Sequence, residues 1–243
     1  ETGFAELMNQ EAKNLGMHDS HFTDSTGLQN HNLYSTAYDL AQLSRAIINR
    51  FPAYYPWYQQ KWFTYNKIRQ PNRNRLLWRN TNVDGIKTGH TSEAGFCLVA
   101  SAKQNSMRLI SVVLGSPSDK VRADDSERLL NYGFRFYENV TLFQAKQPIK
   151  EATVFKGASK TLAIGSISPV QITLPKGHSA KVTINTKITQ TITAPITENT
   201  KVGELTILLD NKPVKTVPLY ALQSVPKGGM LTRLKDTLRL LWS

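Results

Sequence analysis

Hydrophobic residues in the first part of the chain recur at helical spacing. Thr36-x-x-Asp39 has the form of an N-terminal capping box, and it precedes apolar residues spaced three and four apart, at Leu40, Leu43 and Ile47. Phe51-Pro52 then interrupts the pattern. An earlier helix is predicted by apolar residues that fall on one helical face: Phe4, Leu7, Met8, Ala12 and Leu15.

Strand-like patterns follow these helices. The segments "GFCLVASA" and "MRLISVVLG", separated by the polar break "KQNS", predict two adjacent antiparallel strands joined by a short turn. The segment "DGIKTGHT", Asp84–Thr91, precedes them and is predicted to form the neighbouring strand, and a further helix is predicted at about 124–137. We therefore expect a mixed α/β fold in which helices pack on an antiparallel sheet.

After about residue 140 the pattern changes to short β-branched runs. Gly, Pro and Asn separate these runs, and no helical periodicity lies between them, which predicts a small all-β domain. The expected organisation is a domain over 1–140, which holds the helices and the sheet, a small β-domain over 141–226, and a separate terminal segment over 227–243.

The terminal segment predicts an amphipathic helix. Leucines recur at steps of three and four residues, with cations on the remaining faces and Trp242 near the end: Leu231, Leu234, Leu238 and Leu241. Such a helix either docks on its own protein or lies in a membrane interface with its cations near anionic head groups. The Gly228-Gly229 hinge, the terminal position and the basic residues favour the membrane.

Composition narrows the classes of protein further. The chain has 243 residues, 40% of them hydrophobic, enough for two cores, and no apolar run long enough to span a bilayer. Residues 141–243 carry 14 Lys and Arg against 5 Asp and Glu, and the whole chain has a net charge of +12. This basic region has few aromatic residues, so nucleic acid is not the predicted partner. The single cysteine, Cys97, lies in an apolar run and leaves the redox compartment open.

The chemistry is concentrated in "DGIKTGHT". Lys-Thr-Gly on a strand is one of three short motifs of penicillin-binding proteins and related β-lactamases, the others being Ser-x-x-Lys and Ser-x-Asn. Together with its surroundings, "NKIRQPNRNRLLWRNTNVDGIKTGHTSEAGFCLVASA" and the later "GFRFYENV", it resembles the low-molecular-mass penicillin-binding proteins that act as D-alanyl-D-alanine carboxypeptidases, the penicillin-binding protein 5 and 6 subgroup. The resemblance covers essentially the whole chain, including the β-domain and a C-terminal membrane anchor.

The resemblance implies roles for residues at matching positions. Lys87 and Thr88 would hold the terminal carboxylate of the substrate, Gly89 would keep the strand open to close approach, and Arg73 would lie near the carboxylate. The backbone N–H of His90 would be one oxyanion-hole donor. Asp84 and Gly85 are expected to shape the entry to the strand. Outside this context, the same lysine and arginines are ordinary surface charges.

The serine nucleophile and its lysine base are predicted to lie outside this chain. In the family that it resembles, both motifs precede the residues with which this sequence starts, so the chain is expected to begin inside a domain. The only Ser-x-x-Lys match, Ser224-Val225-Pro226-Lys227, contains a proline that opposes a helical turn. His18-x-x-His21 lacks a third ligand and no glycine-rich phosphate loop is present, so neither a metal nor a cofactor is predicted.

The sequence thus predicts part of a serine D-alanyl-D-alanine carboxypeptidase. By resemblance, it removes the terminal D-Ala from peptidoglycan pentapeptide stems through an acyl-enzyme, is blocked by β-lactam antibiotics, and works in the bacterial periplasm on the outer face of the cytoplasmic membrane. Its expected partners also include an anionic membrane surface and the N-terminal fragment of the same enzyme. The alternative is a non-catalytic, membrane-associated or cell-wall-binding fragment of such an enzyme. In a third interpretation, the basic β-domain is a protein-docking or spacer element that sets the height of the catalytic domain above the membrane.

Overall fold

The chain folds into two compact units, and the division between them falls between Phe136 and Tyr137 in the sequence. A computed structural model describes residues 1–28, 30–188 and 191–241. The sequence predicts the boundary at residue 140, whereas the structure places it before Tyr137, because Tyr137–Phe143 is already a strand of the second unit.

The first unit contains helices, a hairpin and a three-stranded sheet. In chain order its elements are α1 Thr2–Asn14, α2 Ala37–Arg50, a 3-10 helix Tyr55–Gln59, β1 Trp62–Tyr65, β2 Ile68–Pro71, α3 Leu76–Arg79, β3 Val83–Thr91, β4 Gly95–Gln104, β5 Met107–Ser116 and α4 Asp119–Phe136.

The sheet of the first unit has the strand order β3-β4-β5, and both pairs are antiparallel. Its turn at Asn105-Ser106 lies within the predicted polar break, where Asn105 adopts a positive φ of 54°. The core against this sheet consists of fully or nearly buried side chains: Leu76, Leu77, Val83, Leu98, Ala100, Ala102, Ala123 and Leu130. The predicted antiparallel sheet with packed helices is confirmed.

Side chains cap the first turns of α2 and α4. Thr36 accepts a hydrogen bond from the backbone N–H of Asp39 (3.2 Å), as the capping box predicts. The prediction for α4 was wrong by several residues, because the helix starts at Asp119 instead of 124. The hydroxyl of Ser118 accepts from the backbone N–H of Val121 (3.2 Å) and caps this earlier start.

Helix α1 forms where it was predicted, but it buries only part of the predicted apolar face. Ala5 and Ala12 are its buried residues, whereas Phe4 and Leu7 are more than half exposed.

A hairpin formed by β1 and β2 was not predicted. Its register pairs Trp62 with Pro71 and Tyr65 with Ile68, and every residue of both strands is exposed. The two turn residues, Asn66 and Lys67, both have positive φ, at 46° and 63°, as a two-residue hairpin turn of the I′ type requires.

The second unit is mostly β-structure, as predicted. Its elements are β6 Tyr137–Phe143, β7 Pro148–Phe155, β8 Thr161–Gly165, β9 Val170–Pro175, a 3-10 turn Ser179–Lys181, β10 Val182–Ile188, β11 Ile192–Thr193, β12 Lys201–Leu209, β13 Lys212–Ala221 and helix α5 Met230–Leu241. One sheet has the order β10-β12-β13-β8-β7-β11, and β6 pairs with β9. The core includes the fully buried Leu162, Ile164, Leu205, Ile207 and Leu219.

Helix α5 docks on the second unit through its polar side. Thr232, Asp236 and Leu240 are partly buried, and the carboxylate of Asp236 accepts a hydrogen bond of 2.6 Å from the backbone N–H of Lys156. The predicted anchor residues lie on the opposite side and are more than half exposed: Leu231, Leu234, Leu238 and Leu241. Trp242 lies outside the described residues.

The helices were also compared with the length and apolar character of a membrane-spanning helix. Within the described part of the chain, no helix combines the length and the apolar character needed to cross a bilayer.

Candidate active-site cleft

Strand β3 forms one wall of a cleft with a volume of about 1000 Å³. The cleft brings together Arg73 and the consecutive residues Lys87, Thr88, Gly89 and His90, which the sequence singled out. Among the described residues, β3 pairs only with β4, so its other edge carries backbone groups that a bound extended chain could reach.

The lysine of the motif is exposed, and the threonine is half-buried. Lys87 is exposed, and its Nζ donates a hydrogen bond of 2.7 Å to the backbone carbonyl of Thr88. The ring of His90 packs on Phe96, its cross-strand partner, with 3.9 Å between ring centroids.

The start of β3 is fixed by a two-pronged ion pair. The guanidinium of Arg108, on β5, donates two hydrogen bonds of 2.7 Å to the carboxylate oxygens of Asp84. The hydroxyl of Tyr55 donates to the same carboxylate (2.9 Å), and Arg108 also donates to the Ser101 hydroxyl (2.7 Å). Burial raises the pKa of Tyr55, and the hydrogen bond to Asp84 raises that of Arg108. Asp84 therefore anchors the strand, in agreement with its predicted role at the strand entry.

The two glycines of the segment serve different purposes. A Cβ at Gly85 would lie 2.8 Å from the hydroxyl of Tyr55 and 3.3 Å from the Cβ of Tyr58, so packing requires glycine there. A Cβ at Gly89 would lie 3.9 Å from the Cβ of Cys97, an ordinary contact. Packing therefore does not require glycine at position 89. The absence of a side chain there leaves space beside the strand for a ligand.

Sequence reasoning missed Arg122, a buried arginine beneath the cleft. From α4 its Nη1 donates to the backbone carbonyls of Gly89 (3.0 Å) and Cys97 (3.2 Å), and its guanidinium lies 5.4 Å from the ring centroid of Phe96. In "DKVRADDSERLL" it is one charge among many, and no sequence signal separates it from a solvated residue.

The cleft has a marked positive charge. Lys87, Arg73, Arg75 and Arg122 line it against a single carboxylate, Asp119, which pairs with Arg75 at 2.6 Å. Burial lowers the pKa of Arg122, Asp119 opposes this change, and the cations Arg75 and Arg73 lower it further. Together these cations make an electrostatic site suited to an anion.

The other sequence candidates lie away from this chemistry. Ser224 and Lys227 lie in extended chain, where Val225 bridges to Ile196 and Lys227 to Gly157, so they do not share a helical turn. The Ser224 hydroxyl accepts from the backbone N–H of Glu198 (2.9 Å). Across the described residues, no group of three or more His, Cys, Asp or Glu side chains is arranged to hold a metal ion.

Comparison with known proteins shows which family of proteins this chain matches. Residues 1–118 match the D-alanyl-D-alanine carboxypeptidase family, and residues 137–227 match the penicillin-binding protein 5 C-terminal domain. D-alanyl-D-alanine carboxypeptidase DacC of Escherichia coli (strain K12) is 41% identical over 235 residues, which cover 96% of this chain and 59% of that protein. The chain thus spans about three fifths of the length of this curated relative.

Solved structures agree with the family match. Penicillin binding protein 5 from Haemophilus influenzae superimposes with a TM-score of 0.80 at 39% identity, covering 93% of this chain and 67% of that one. Penicillin-Binding Protein D2 from Listeria monocytogenes, in its cefotaxime-bound form, gives 0.51 at 34% identity, covering 54% and 55%. These likenesses confirm the predicted class, an antiparallel sheet with packed helices followed by a small β-domain. The chain belongs to the D-alanyl-D-alanine carboxypeptidase family.

The contrast between the two glycines predicts opposite effects of alanine on stability. Gly85→Ala should lower the free energy of unfolding by about 1–3 kcal/mol, because the added Cβ overlaps the Tyr55 hydroxyl. Gly89→Ala, its matched control, should be neutral or stabilising by up to about 1 kcal/mol, because it has room and stiffens the unfolded chain. Urea unfolding followed by tryptophan fluorescence measures both, and equal losses would contradict this account.

Proposed function

We propose that the protein removes the terminal D-alanine from peptidoglycan pentapeptide stems as a serine D-alanyl-D-alanine carboxypeptidase. The observation that carries this proposal is the grouping of Lys87, Thr88, Gly89 and Arg73 around one cationic cleft on an accessible strand edge. A C-terminal carboxylate is the part of the substrate that such a group would recognise. The family match and the 41% identical carboxypeptidase support the same activity.

The residues of β3 would hold and polarise the scissile dipeptide. Lys87 and Thr88 bind the carboxylate, and the substrate backbone lies along the strand where Gly89 leaves space. The backbone N–H of His90 donates to the oxygen that becomes negative when the carbonyl is attacked. The buried Arg122 holds the carbonyl of Gly89 from beneath, which fixes the strand before the substrate arrives.

The nucleophile of the proposed reaction is a serine outside this sequence. Its Oγ forms a bond to the D-Ala–D-Ala carbonyl carbon while a lysine base removes its proton. The amide C–N bond then breaks, the leaving D-alanine takes up a proton, and water hydrolyses the acyl-enzyme ester. A β-lactam would acylate the same serine, and the cefotaxime-bound structure of the Listeria protein supports this part of the proposal.

Helix α5 is proposed to attach the protein to an anionic membrane surface. Its polar side holds the second unit through Asp236, whereas its leucines face away from that unit. A helix that docks with its polar side and exposes its apolar side is suited to lie in a membrane interface, with Arg233, Lys235 and Arg239 near the head groups. The proposed location is the outer face of the bacterial cytoplasmic membrane, in the periplasm.

Lys87→Ala tests the carboxylate site in the full-length protein. The second-order rate of acylation by a labelled penicillin should fall by about 100-fold or more, since a charge-assisted contact with the carboxylate is lost. Because Lys87 is exposed, the thermal unfolding midpoint should stay within experimental error. Lys103→Ala, an exposed lysine at the far end of the sheet, is the matched control. A near-normal acylation rate for Lys87→Ala would refute its role.

Replacing two leucines of α5 tests the membrane proposal. Leu234→Gln with Leu238→Gln should weaken binding to vesicles of mixed neutral and anionic lipid by about tenfold or more, because two apolar side chains leave the interface. Thr237→Gln, a neighbouring exposed position on the same helix, should change binding little. Cosedimentation with the vesicles measures both, and equal binding by the double variant and the control would rule out insertion of the leucine face.

A further inference from the structure

Helix α5 rests on the loop between β7 and β8, residues 156–160, which we call the β7–β8 loop. The backbone N–H of Lys156 donates to the carboxylate of Asp236 in the helix (2.6 Å). The backbone carbonyl of Lys156 accepts from the N–H of Gly228, just before the helix (2.9 Å). Both polar groups of one loop residue are therefore bound to the α5 segment, at two points along its length.

Packing closes the hinge that the sequence predicts at Gly228-Gly229. A Cβ at Gly228 would lie 2.6 Å from the backbone oxygen of Gly157, so the chain passes directly against the β7–β8 loop at this point. Lys227 also forms a bridge with Gly157. Because the segment is bound here and again at Asp236, the helix has a fixed orientation relative to the loop.

This orientation sets the height of the β7–β8 loop when the leucine face of α5 lies in a membrane. At 3.6 residues per turn, Leu234 and Leu238 each lie about 160° around the helix axis from Asp236, so the loop and the leucines are on opposite sides. A helix is about 10–12 Å across with its side chains, and an interfacial helix is buried by about 5–10 Å. The side that carries Asp236, and the loop bound to it, therefore lie at the level of the lipid head groups.

Unpaired cations are concentrated around this contact. The β7–β8 loop and residues 226–241 carry six cations and one carboxylate, and that carboxylate, Asp236, is bound to the loop. Within the described part of the chain, none of the six forms an ion pair: Lys156, Lys160, Lys227, Arg233, Lys235 and Arg239. In contrast, Lys146, Lys181 and Lys201 of the same unit each pair with a carboxylate. Unpaired cations beside an exposed apolar face are complementary to an anionic lipid surface.

We propose that the β7–β8 loop is a second membrane contact, in which Lys156 and Lys160 bind the head groups of anionic lipids while the leucines of α5 enter the apolar layer. The inference rests on the proposed attachment of α5 to the membrane. The loop supplies charge and does not insert, so it determines the preference for anionic over neutral lipid. The leucines supply the binding that both kinds of lipid share.

Vesicle binding by the full-length protein tests the proposal. Cosedimentation is measured with vesicles of neutral lipid and with vesicles of mixed neutral and anionic lipid, and the ratio of the two partition coefficients gives the preference for anionic lipid. Lys156→Gln with Lys160→Gln should lower this ratio by about tenfold or more, because two cations near the surface are lost. Binding to neutral vesicles should be unchanged, since glutamine keeps the backbone bonds of residue 156 and the leucine face is intact.

Lys181→Gln with Lys212→Gln is the matched control, because it removes two exposed lysines from the opposite end of the same unit. β8 pairs with the last residues of β13, and β13 extends from there to Lys212, about 30–40 Å from the β7–β8 loop. This distance is several times the screening length of about 8 Å at physiological salt. The control variant should therefore leave the ratio unchanged.

The other outcomes separate the possible failures. An equal fall of the ratio for both pairs would reveal a general effect of net charge and overturn the loop contact, and so would an unchanged ratio for Lys156→Gln with Lys160→Gln. An equal loss on neutral and anionic vesicles would also overturn it, because the lysines would then act through the docking of α5. Wild-type protein that binds neither kind of vesicle would instead refute the proposed membrane attachment itself.

Discussion

Two arginine side chains hold strand β3 from within the fold, and the arrangement of the cleft depends on both. Arg108 binds Asp84 at the start of the strand, and Arg122 binds the carbonyl of Gly89 near its end. A buried or half-buried guanidinium is costly unless its donors are satisfied, so each is fixed by its own hydrogen bonds. The strand between them is consequently positioned by groups of its own unit, and among the described residues its outer edge pairs with no other strand.

The same arrangement explains why the motif residues are exposed in an otherwise well-packed unit. Leu98 and Ala100 of β4 are fully buried behind the strand, whereas Lys87 and His90 of β3 are exposed. Rigid support behind a reactive surface reduces the reorganisation that binding requires. The residues that hold the Lys-Thr-Gly strand in place, Arg108 and Arg122, lie far from the motif in sequence.

This separation sets the limit of what the sequence could predict. The order β3-β4-β5, the capped start of α2 and the all-β second unit follow from local periodicity and capping, and they were predicted. The β1–β2 hairpin was missed because it is exposed on both faces and so shows no alternation of burial, and because its Asn66-Lys67 turn is not a glycine turn. Arg122 was missed because burial of one arginine among many charges is a tertiary property. Arg73 and the Lys-Thr-Gly residues were found through resemblance, and the structure brings them into one cleft.

Hydrogen bonds also connect the β1–β2 hairpin to strand β3. Asn72 and Asn74 join the base of the hairpin to the backbone of Gly85, two residues before Lys87. Side-chain hydrogen bonds therefore connect the hairpin base to the strand that carries the Lys-Thr-Gly motif. Because Asn72 and Asn74 flank Arg73 in sequence, the same hydrogen bonds hold the backbone on both sides of Arg73 near the start of β3, and they explain why an arginine from a loop lines the same cleft as Lys87.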